Sequence, residues 1–198
     1  MKKTLLLLTC LILSVSNIQA QSWKNLFSKK NVSKVASAAG IDIPFEIEGE
    51  WVFQGTAVEL ETDNMLKKAA AEMAAIAIEE KINQQQEKYG IKPGMVKFTF
   101  NKDGVVNVSA LNHSIPARYE LSKDKKTMHV TVANMINMDA TIKHTLDNSL
   151  SILFNADKIV ELIKYFSTQV DYASLQAITQ ILDNYDGLKV GVELQKVG

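Results

Sequence analysis

The sequence predicts a mainly β fold with added helices, in which eight antiparallel strands close into a barrel. A first strand signal, Gly49–Leu60, follows a long stretch without any, and a last one at 187–195 has no partner near it in sequence. Between them, six shorter segments of alternating apolar and polar residues form three hairpins. Because unpaired first and last strands would leave two open sheet edges, we expect these two strands to pair and close the barrel.

The six inner strands are predicted by a period of two, interrupted by polar turns at 101–104, 122–126 and 147–148. One face of each strand is apolar and the other polar, which is typical of antiparallel strands with one wetted face. An eight-stranded barrel is wide enough to be filled by side chains or to hold one small ligand. The residues expected to face inward are Phe98, Phe100, Val108, Val130, Ile142, Ile152 and Val192.

A long helix is predicted after strand 1, from a cap at Thr62 or Asp63 to a stop at Tyr89 and Gly90. We expect it to lie across the mouth or the wall of the barrel. Two further helices are predicted before the last strand, one following Asn155 and one starting at Asp171. The packed face of the long helix is predicted to carry Leu66, Ala69, Ala70, Met73, Ile76 and Ala77.

The N-terminus predicts export. Residues 1–20 have a charged start and an apolar core too short to span a bilayer, and we place signal-peptide cleavage after Ala20. A lipoprotein anchored at Cys10 is disfavoured, because this cysteine lies inside the apolar run and follows Thr9. We expect the mature protein in the periplasm or outside the cell.

The next segment, residues 21–44, predicts an N-terminal helix and an extended lead-in to the barrel domain at 45–198. The helix carries apolar residues interleaved with lysines. Two interpretations remain open: a plug docked on one end of the barrel, or a basic amphipathic helix on a membrane surface.

Composition excludes several function classes. Removal of residues 1–20 takes away Lys2 and Lys3 and no acidic residue, which leaves 20 basic against 22 acidic side chains and a net charge of −2. This balance argues against a nucleic-acid partner. Cys10 is the only cysteine, so the mature chain has neither a disulfide nor a zinc–thiolate site.

Nothing in the sequence predicts an enzyme, a metal site or a cofactor. The three histidines, His113, His129 and His144, lie on separate segments without metal-ligand spacing. No nucleophile elbow, phosphate loop or dinucleotide fingerprint is present. We therefore assign no catalytic residue and expect a non-enzymatic protein.

Gly49-Glu50-Trp51, at the start of strand 1, is similar to the Gly-x-Trp signature of lipocalins. Over residues 45–198 the chain resembles an uncharacterised lipocalin-like family of secreted bacterial proteins, and this resemblance implies a barrel that holds a small apolar molecule. Lipocalins place an arginine against the signature tryptophan, but the single arginine here, Arg118, lies elsewhere. Lys196 occupies the matching end of the last strand, so we expect a cation–π contact with Trp51 and take Gly49, Trp51 and Lys196 as the structural signature.

Two functions remain open. The first is a secreted lipocalin-like domain that binds a small apolar or amphipathic ligand. The second is a non-enzymatic interaction or structural module of the cell envelope, with a filled barrel and helices that meet a protein partner. For the first function the candidate ligand-binding residues are Phe98, Phe100, Val130, Ile142, His144 and Ile152.

Overall fold

A computed structural model of the 198-residue chain describes residues 45–88, 92–110, 113–132, 134–144, 148–166 and 187–197. The predicted signal peptide, the N-terminal helix and the helix expected from Asp171 lie outside these ranges. The described elements are β1 (Gly49–Leu60), α1 (Met65–Lys88), β2 (Val96–Phe100), β3 (Val105–Ala110), β4 (His113–Leu121), β5 (Thr127–Val132), β6 (Ile136–His144), β7 (Ser149–Asn155), α2 (Ala156–Phe166) and β8 (Leu188–Lys196).

The eight strands form a closed antiparallel barrel, which confirms the predicted fold class. Each strand pairs with the next along the chain, and β1 pairs with β8 from Trp51 opposite Lys196 to Leu60 opposite Leu188. This last pairing joins two strands about 130 residues apart and removes both free edges of the sheet.

The barrel has two differently covered ends. At the first, here called the strap end, β1 begins and β8 finishes, and residues 45–48 (the strap) lead into β1. At the second, here called the helix end, β1 finishes and β8 begins, and α1 and α2 leave β1 and β7. The strap end therefore depends on the chain just before β1, whereas the helix end depends on the two helices.

The barrel interior is packed with the inward apolar residues that the alternation predicts. Trp51 and Phe53 are among the largest fully buried side chains, and Phe98 lies opposite Trp51 on β2. Burial of each such side chain contributes about 1.5–3 kcal/mol. The buried members of this cluster are Phe45, Ile47, Trp51, Phe53, Val96, Phe98, Phe100, Val106, Tyr119, Met128, Val130, Val132, Ile136, Met138, Ala140, Ile142, Leu150, Ile152 and Leu194.

A β-bulge at Gln54 changes which residues of β1 face inward. The register against β8 moves from Phe53 opposite Leu194 to Gly55 opposite Glu193, so Gln54 has no residue directly opposite it. Trp51 and Phe53 face inward before the bulge, and Thr56, Val58 and Leu60 do so after it. The bulge moves the inward phase to even-numbered residues, and the outward Gly55 is covered by Asn83 of α1, so burial from residue 55 to residue 58 does not alternate.

The packed face of α1 is not the predicted one. Among the α1 side chains that the structure describes, Ala75, Ile78 and Ile82 are buried. Of the predicted face, Ala69, Ala70, Met73 and Ala77 are exposed and Ile76 is half-buried, and the side chain of Leu66 lies outside the description. Alanines occur on every side of this helix, so the apolar pattern specifies no face. Ile78 and Ile82 decide the orientation because they remove the most apolar area from water.

A second buried cluster lies at the helix end. It joins residues of both helices to side chains of β1 and β8 that face the inside of the barrel. Phe154 on β7 packs against this cluster and against the main core, so the two are continuous. The buried members are Val58, Ala75, Ile78, Ile82, Ala156, Ile159, Val160, Leu188 and Val190. Neither described helix is long and apolar enough to span a bilayer.

Candidate functional site: the barrel interior

Five of the six predicted lining residues lie together in the main core. They face inward from four strands, and each is at most 9% exposed. These five are Phe98, Phe100, Val130, Ile142 and Ile152. The sixth, His144, is only partly buried, and it lies at the strap end of β6.

His144 stacks on the strap. Its ring lies parallel to that of Phe45, with centroids 4.7 Å apart and an interplanar angle of 9°. Phe45 also packs at a tilt against Trp51, at 6.1 Å between centroids. The histidine thus belongs to an aromatic group that covers this end of the barrel.

Three side chains fasten the strap by donating hydrogen bonds to three successive backbone carbonyls. The Trp51 indole Nε1 donates to the oxygen of residue 47 at 2.7 Å. Lys196 Nζ donates to that of residue 46 at 2.9 Å, and Lys125 Nζ to that of residue 45 at 2.7 Å. Lys196 Nζ also lies 5.3 Å from the Trp51 ring centroid. The signature tryptophan and its lysine therefore hold the strap against the strap end.

Gly49, the first residue of β1, allows the strap to turn into the strand. Its φ of +115° lies in a region that side-chain-bearing residues rarely adopt. A Cβ at this position would lie 3.6 Å from the Lys196 side chain. Gly49, Trp51 and Lys196 therefore meet in one structural group at this end.

Six inward apolar side chains that pack against the main core are only half-buried. One of them, Leu121, lies at the strap end, and the other five lie from the middle of the barrel toward the helix end. Val108, Ala110 and Ala117 belong to β3 and β4, whereas Phe154 and Val192 belong to β7 and β8. In a closed barrel of eight strands, these two pairs of strands lie on opposite walls. The interior between these two walls is the candidate ligand site.

None of these five half-buried residues is in the predicted lining set. Val108 and Ala110 have the correct phase in the sequence, so their inward direction can be predicted. Their accessibility cannot, because it depends on how segments distant in sequence pack around them.

One polar group inside the barrel, the Tyr119 hydroxyl, is bonded to the backbone. Tyr119 faces inward from β4, and its hydroxyl donates to the Asn101 carbonyl oxygen at 2.8 Å. Its ring meets Phe100 edge-on, at 5.2 Å between centroids. Burial raises the pKa of Tyr119, and the negative charges of Glu48 and Asp103 add to this effect. The hydroxyl is thus kept neutral as a structural donor.

The remaining candidates for chemistry lie on the outer surface. His129 on β5 contacts Asp139 on β6, with Nδ1 and Oδ1 2.7 Å apart, and both side chains are well exposed. Arg118 is exposed on β4. Within the ranges that the structure describes, no three histidine, cysteine or acidic residues are grouped as metal ligands would be.

Two lysines tie β6 and β8 to the end of β1. Lys143 Nζ lies 2.6 Å from Glu59 Oε1, and Lys189 Nζ lies 2.6 Å from Glu61 Oε1. Lys189 also donates to the Thr141 hydroxyl at 2.9 Å. Glu59 and Glu61 are therefore partners in ion pairs with lysines of two other strands.

Comparison with known proteins agrees with this architecture. Residues 23–196 match the model of a family described as a lipocalin-like domain (DUF4923), a span that includes every strand of the barrel. No curated protein and no solved structure gives a significant match. With a family match over most of its length and a closed eight-stranded barrel, the chain belongs to this lipocalin-like domain family.

Proposed function

We propose that this protein binds a small apolar or amphipathic molecule inside the barrel, toward the helix end, and acts without catalysis. One observation carries the proposal: Val108, Ala110, Ala117, Phe154 and Val192 face inward and yet remain partly accessible. An accessible concave surface lined by apolar side chains is typical of small-molecule sites.

The packing of the strap end fits the same function. A ligand site needs a rigid scaffold, and the closely packed core around Trp51, Phe98 and Phe100 provides one. In this proposal the predicted lining residues Phe98 and Phe100 form the floor of the site, and the half-buried residues form its walls. His144 supports the floor through Phe45.

Native mass spectrometry of the protein purified from its source cell, followed by denaturation, tests the proposal. We expect an additional mass that is released on unfolding. A panel of fatty acids, sterols and aromatic dyes should also raise the melting temperature, because a ligand that binds the folded state stabilises it by mass action. A bare mass with no thermal shift across the panel would refute the carrier function.

That negative outcome would favour the second candidate, an interaction or structural module of the cell envelope. The observation in its favour is the depth of the core, since residues from all eight strands fill the strap half of the barrel. Such a module should be recovered with a protein partner after mild crosslinking in intact cells. Substitutions on the exposed face of α1, such as Met73→Glu, should abolish that recovery.

We further propose that the protein is exported and cleaved after Ala20. The support is the charged start, short apolar core and small residue before the cleavage position in residues 1–20. Intact-mass measurement of the protein from a periplasmic extract or the medium should give a chain that begins at Gln21. A chain retaining residues 1–20, or one carrying lipid on Cys10, would contradict this proposal.

A further inference from the structure

The wall of the barrel is not made of strands all the way round. The pairs between β1 and β2 cover residues 49–52 of β1, whereas β8 pairs with β1 as far as Leu60. Glu61 N–H donates to the Gly187 oxygen, so the odd-numbered residues in this half of β1 bond toward β8. The N–H and C=O groups of Thr56 and Val58 therefore point to the other edge, past the start of β2.

Helix α1 covers that edge. The N–H of Thr56 donates to Asn83 Oδ1 at 2.7 Å, so a helix side chain replaces a neighbouring strand as acceptor. The side-chain amide of Asn83 also lies against Gly55, where a Cβ would be 3.3 Å from Asn83 Oδ1 and Nδ2. Just before β2, Gly94 N–H donates to the Phe53 oxygen at 2.7 Å and marks where the strand pairing ends.

Behind α1 lies the inside of the barrel. Ile78 and Ile82 pack in one cluster with Val58 and Val190, whose side chains face inward from β1 and β8. Phe154 connects this cluster to the main core and is itself one of the half-buried residues of the proposed ligand site. If α1 moved away from β1, the site would open through the wall, at right angles to the barrel axis.

Few of the α1 side chains that the structure describes are fully buried for a helix of this length. The helix has 24 residues, and its buried side chains are Ala75, Ile78 and Ile82 among those the structure describes. Segments with few buried apolar contacts open locally at a smaller free-energy cost than the core does. The described side chains of α1 that are exposed are Lys67, Lys68, Ala69, Ala70, Glu72, Met73, Ala77, Glu80, Gln84 and Glu87.

We propose that α1 is a lid: it detaches locally from β1 and admits the ligand through the side of the barrel, between β1 and β2. The Asn83–Thr56 hydrogen bond and the isoleucine contacts close it again. This inference rests on the proposed ligand binding, and it adds the route by which the ligand enters.

A disulfide between α1 and β1 tests the lid, in protein carrying Cys10→Ser. The double variant Gly55→Cys, Asn83→Cys suits this purpose, because a Cβ at residue 55 would lie 3.6 Å from Asn83 Cγ, the position that sulfur takes in cysteine. In a disulfide that distance is about 3 Å, so a small adjustment forms the bond. We expect the oxidised protein to take up and release ligand at least about tenfold more slowly, with its equilibrium affinity nearly unchanged.

The matched control is a disulfide in the wall away from α1. Ser109 and Ser114 are a cross-strand pair of β3 and β4 with hydroxyl oxygens 3.1 Å apart. The variant Ser109→Cys, Ser114→Cys should exchange ligand at the rate of the unmodified protein, oxidised or reduced. Equal rates in the oxidised Gly55→Cys, Asn83→Cys protein and its reduced form would overturn the lid.

Hydrogen exchange tests the motion without any ligand. Amides of α1 and the Thr56 amide should exchange at least about tenfold faster than those of β5 and β6, and the Gly55–Asn83 crosslink should remove the difference. Exchange of α1 only together with the whole barrel would overturn the lid even if a ligand is found. Failure to bind any ligand would refute the proposed function instead, and would leave exchange to decide whether α1 detaches.

Discussion

Lys196 lies over the indole ring of Trp51, with Nζ 5.3 Å from the ring centroid. Trp51 and Lys196 are directly opposite each other where β1 meets β8. Both also donate hydrogen bonds to the strap, so the pair that closes the barrel also closes its end. The lysine thus takes the position of the arginine that lipocalins place against their signature tryptophan. A single ammonium group replaces the planar guanidinium group.

Replacing Lys196 by methionine should lower the free energy of unfolding by about 1–2 kcal/mol. The change removes the cation–π contact and leaves the residue 46 carbonyl without its lysine donor. Urea denaturation measures the loss. Lys196→Arg should keep most of the stability, and equal losses in both variants would show that the cation contributes nothing.

Gly191→Ala should be strongly destabilising, by about 4 kcal/mol or more. A Cβ at residue 191 would overlap the carbonyl group of Ile152 on the adjacent strand β7. Since this neighbour is backbone, it cannot move aside without breaking the pairing of β7 and β8. Thermal unfolding followed by circular dichroism gives the comparison.

Gly55→Ala is the matched control, because its new Cβ would meet only the end of the Asn83 side chain, at 3.3 Å. It should cost less than about 1 kcal/mol. If the two alanine variants melt at the same temperature, the close approach at Gly191 is not what requires glycine there.

Two inward alanines should respond in opposite ways to enlargement. Ala140 on β6 is 1% exposed, so Ala140→Phe should overpack the core and cost about 1–3 kcal/mol or more. Ala117 on β4 is half-buried beside the proposed site, so Ala117→Phe should be tolerated and should block ligand binding. Melting temperatures and dye titrations of the two variants provide the measurement. Equal destabilisation would mean that no space exists beside Ala117.

The packed face of α1 can be tested with two truncations of similar size. Ile78 is buried against β1 and β8, so Ile78→Ala should cost about 2–4 kcal/mol. Met73 is 52% exposed, so Met73→Ala should change stability by less than about 0.5 kcal/mol. Chemical denaturation measures both losses. A larger loss for Met73→Ala than for Ile78→Ala would support the packed face that the sequence pattern predicts.

Tyr119 should make the protein less stable above about pH 10. Its pKa in the folded state is raised above the ordinary value for tyrosine, chiefly by burial. As pH rises above the unfolded pKa, the unfolded chain loses this proton before the folded one does, so unfolding becomes more favourable. The stability that Tyr119 contributes in this way is fully present below its unfolded pKa and is lost as the pH rises through its folded pKa.

Denaturation of Tyr119→Phe at several pH values between 8 and 11 (roughly the range in which tyrosine titrates) isolates the effect. The variant should be less stable than the unmodified protein at pH 8, because it lacks the hydrogen bond to Asn101. The gap between the two should narrow toward pH 11. A constant gap would show that the tyrosine titrates alike in both states.

The sequence by itself determined the strands and their closure. Alternation from Val96 to Phe154 requires one face of each strand to be buried, and the polar turns fix the hairpins. The first and last strands of such a sheet each have one free edge, and these two edges can pair only with each other. Alternation is a short-range pattern, and the pairing of free sheet edges is a general property of sheets, so both can be inferred from the sequence alone.

The tertiary structure decided which positions matter for a site. The bulge at Gln54 moves Thr56 and Val58 to the inside, and only the register against β8 shows it. The face of α1 follows from where Ile78 fits, since the alanines around the helix fit equally well on any side. Accessibility at Ala117 likewise depends on how elements distant in sequence pack around the barrel interior. Each of these depends on packing between segments far apart in sequence, and a local pattern carries no information about such packing.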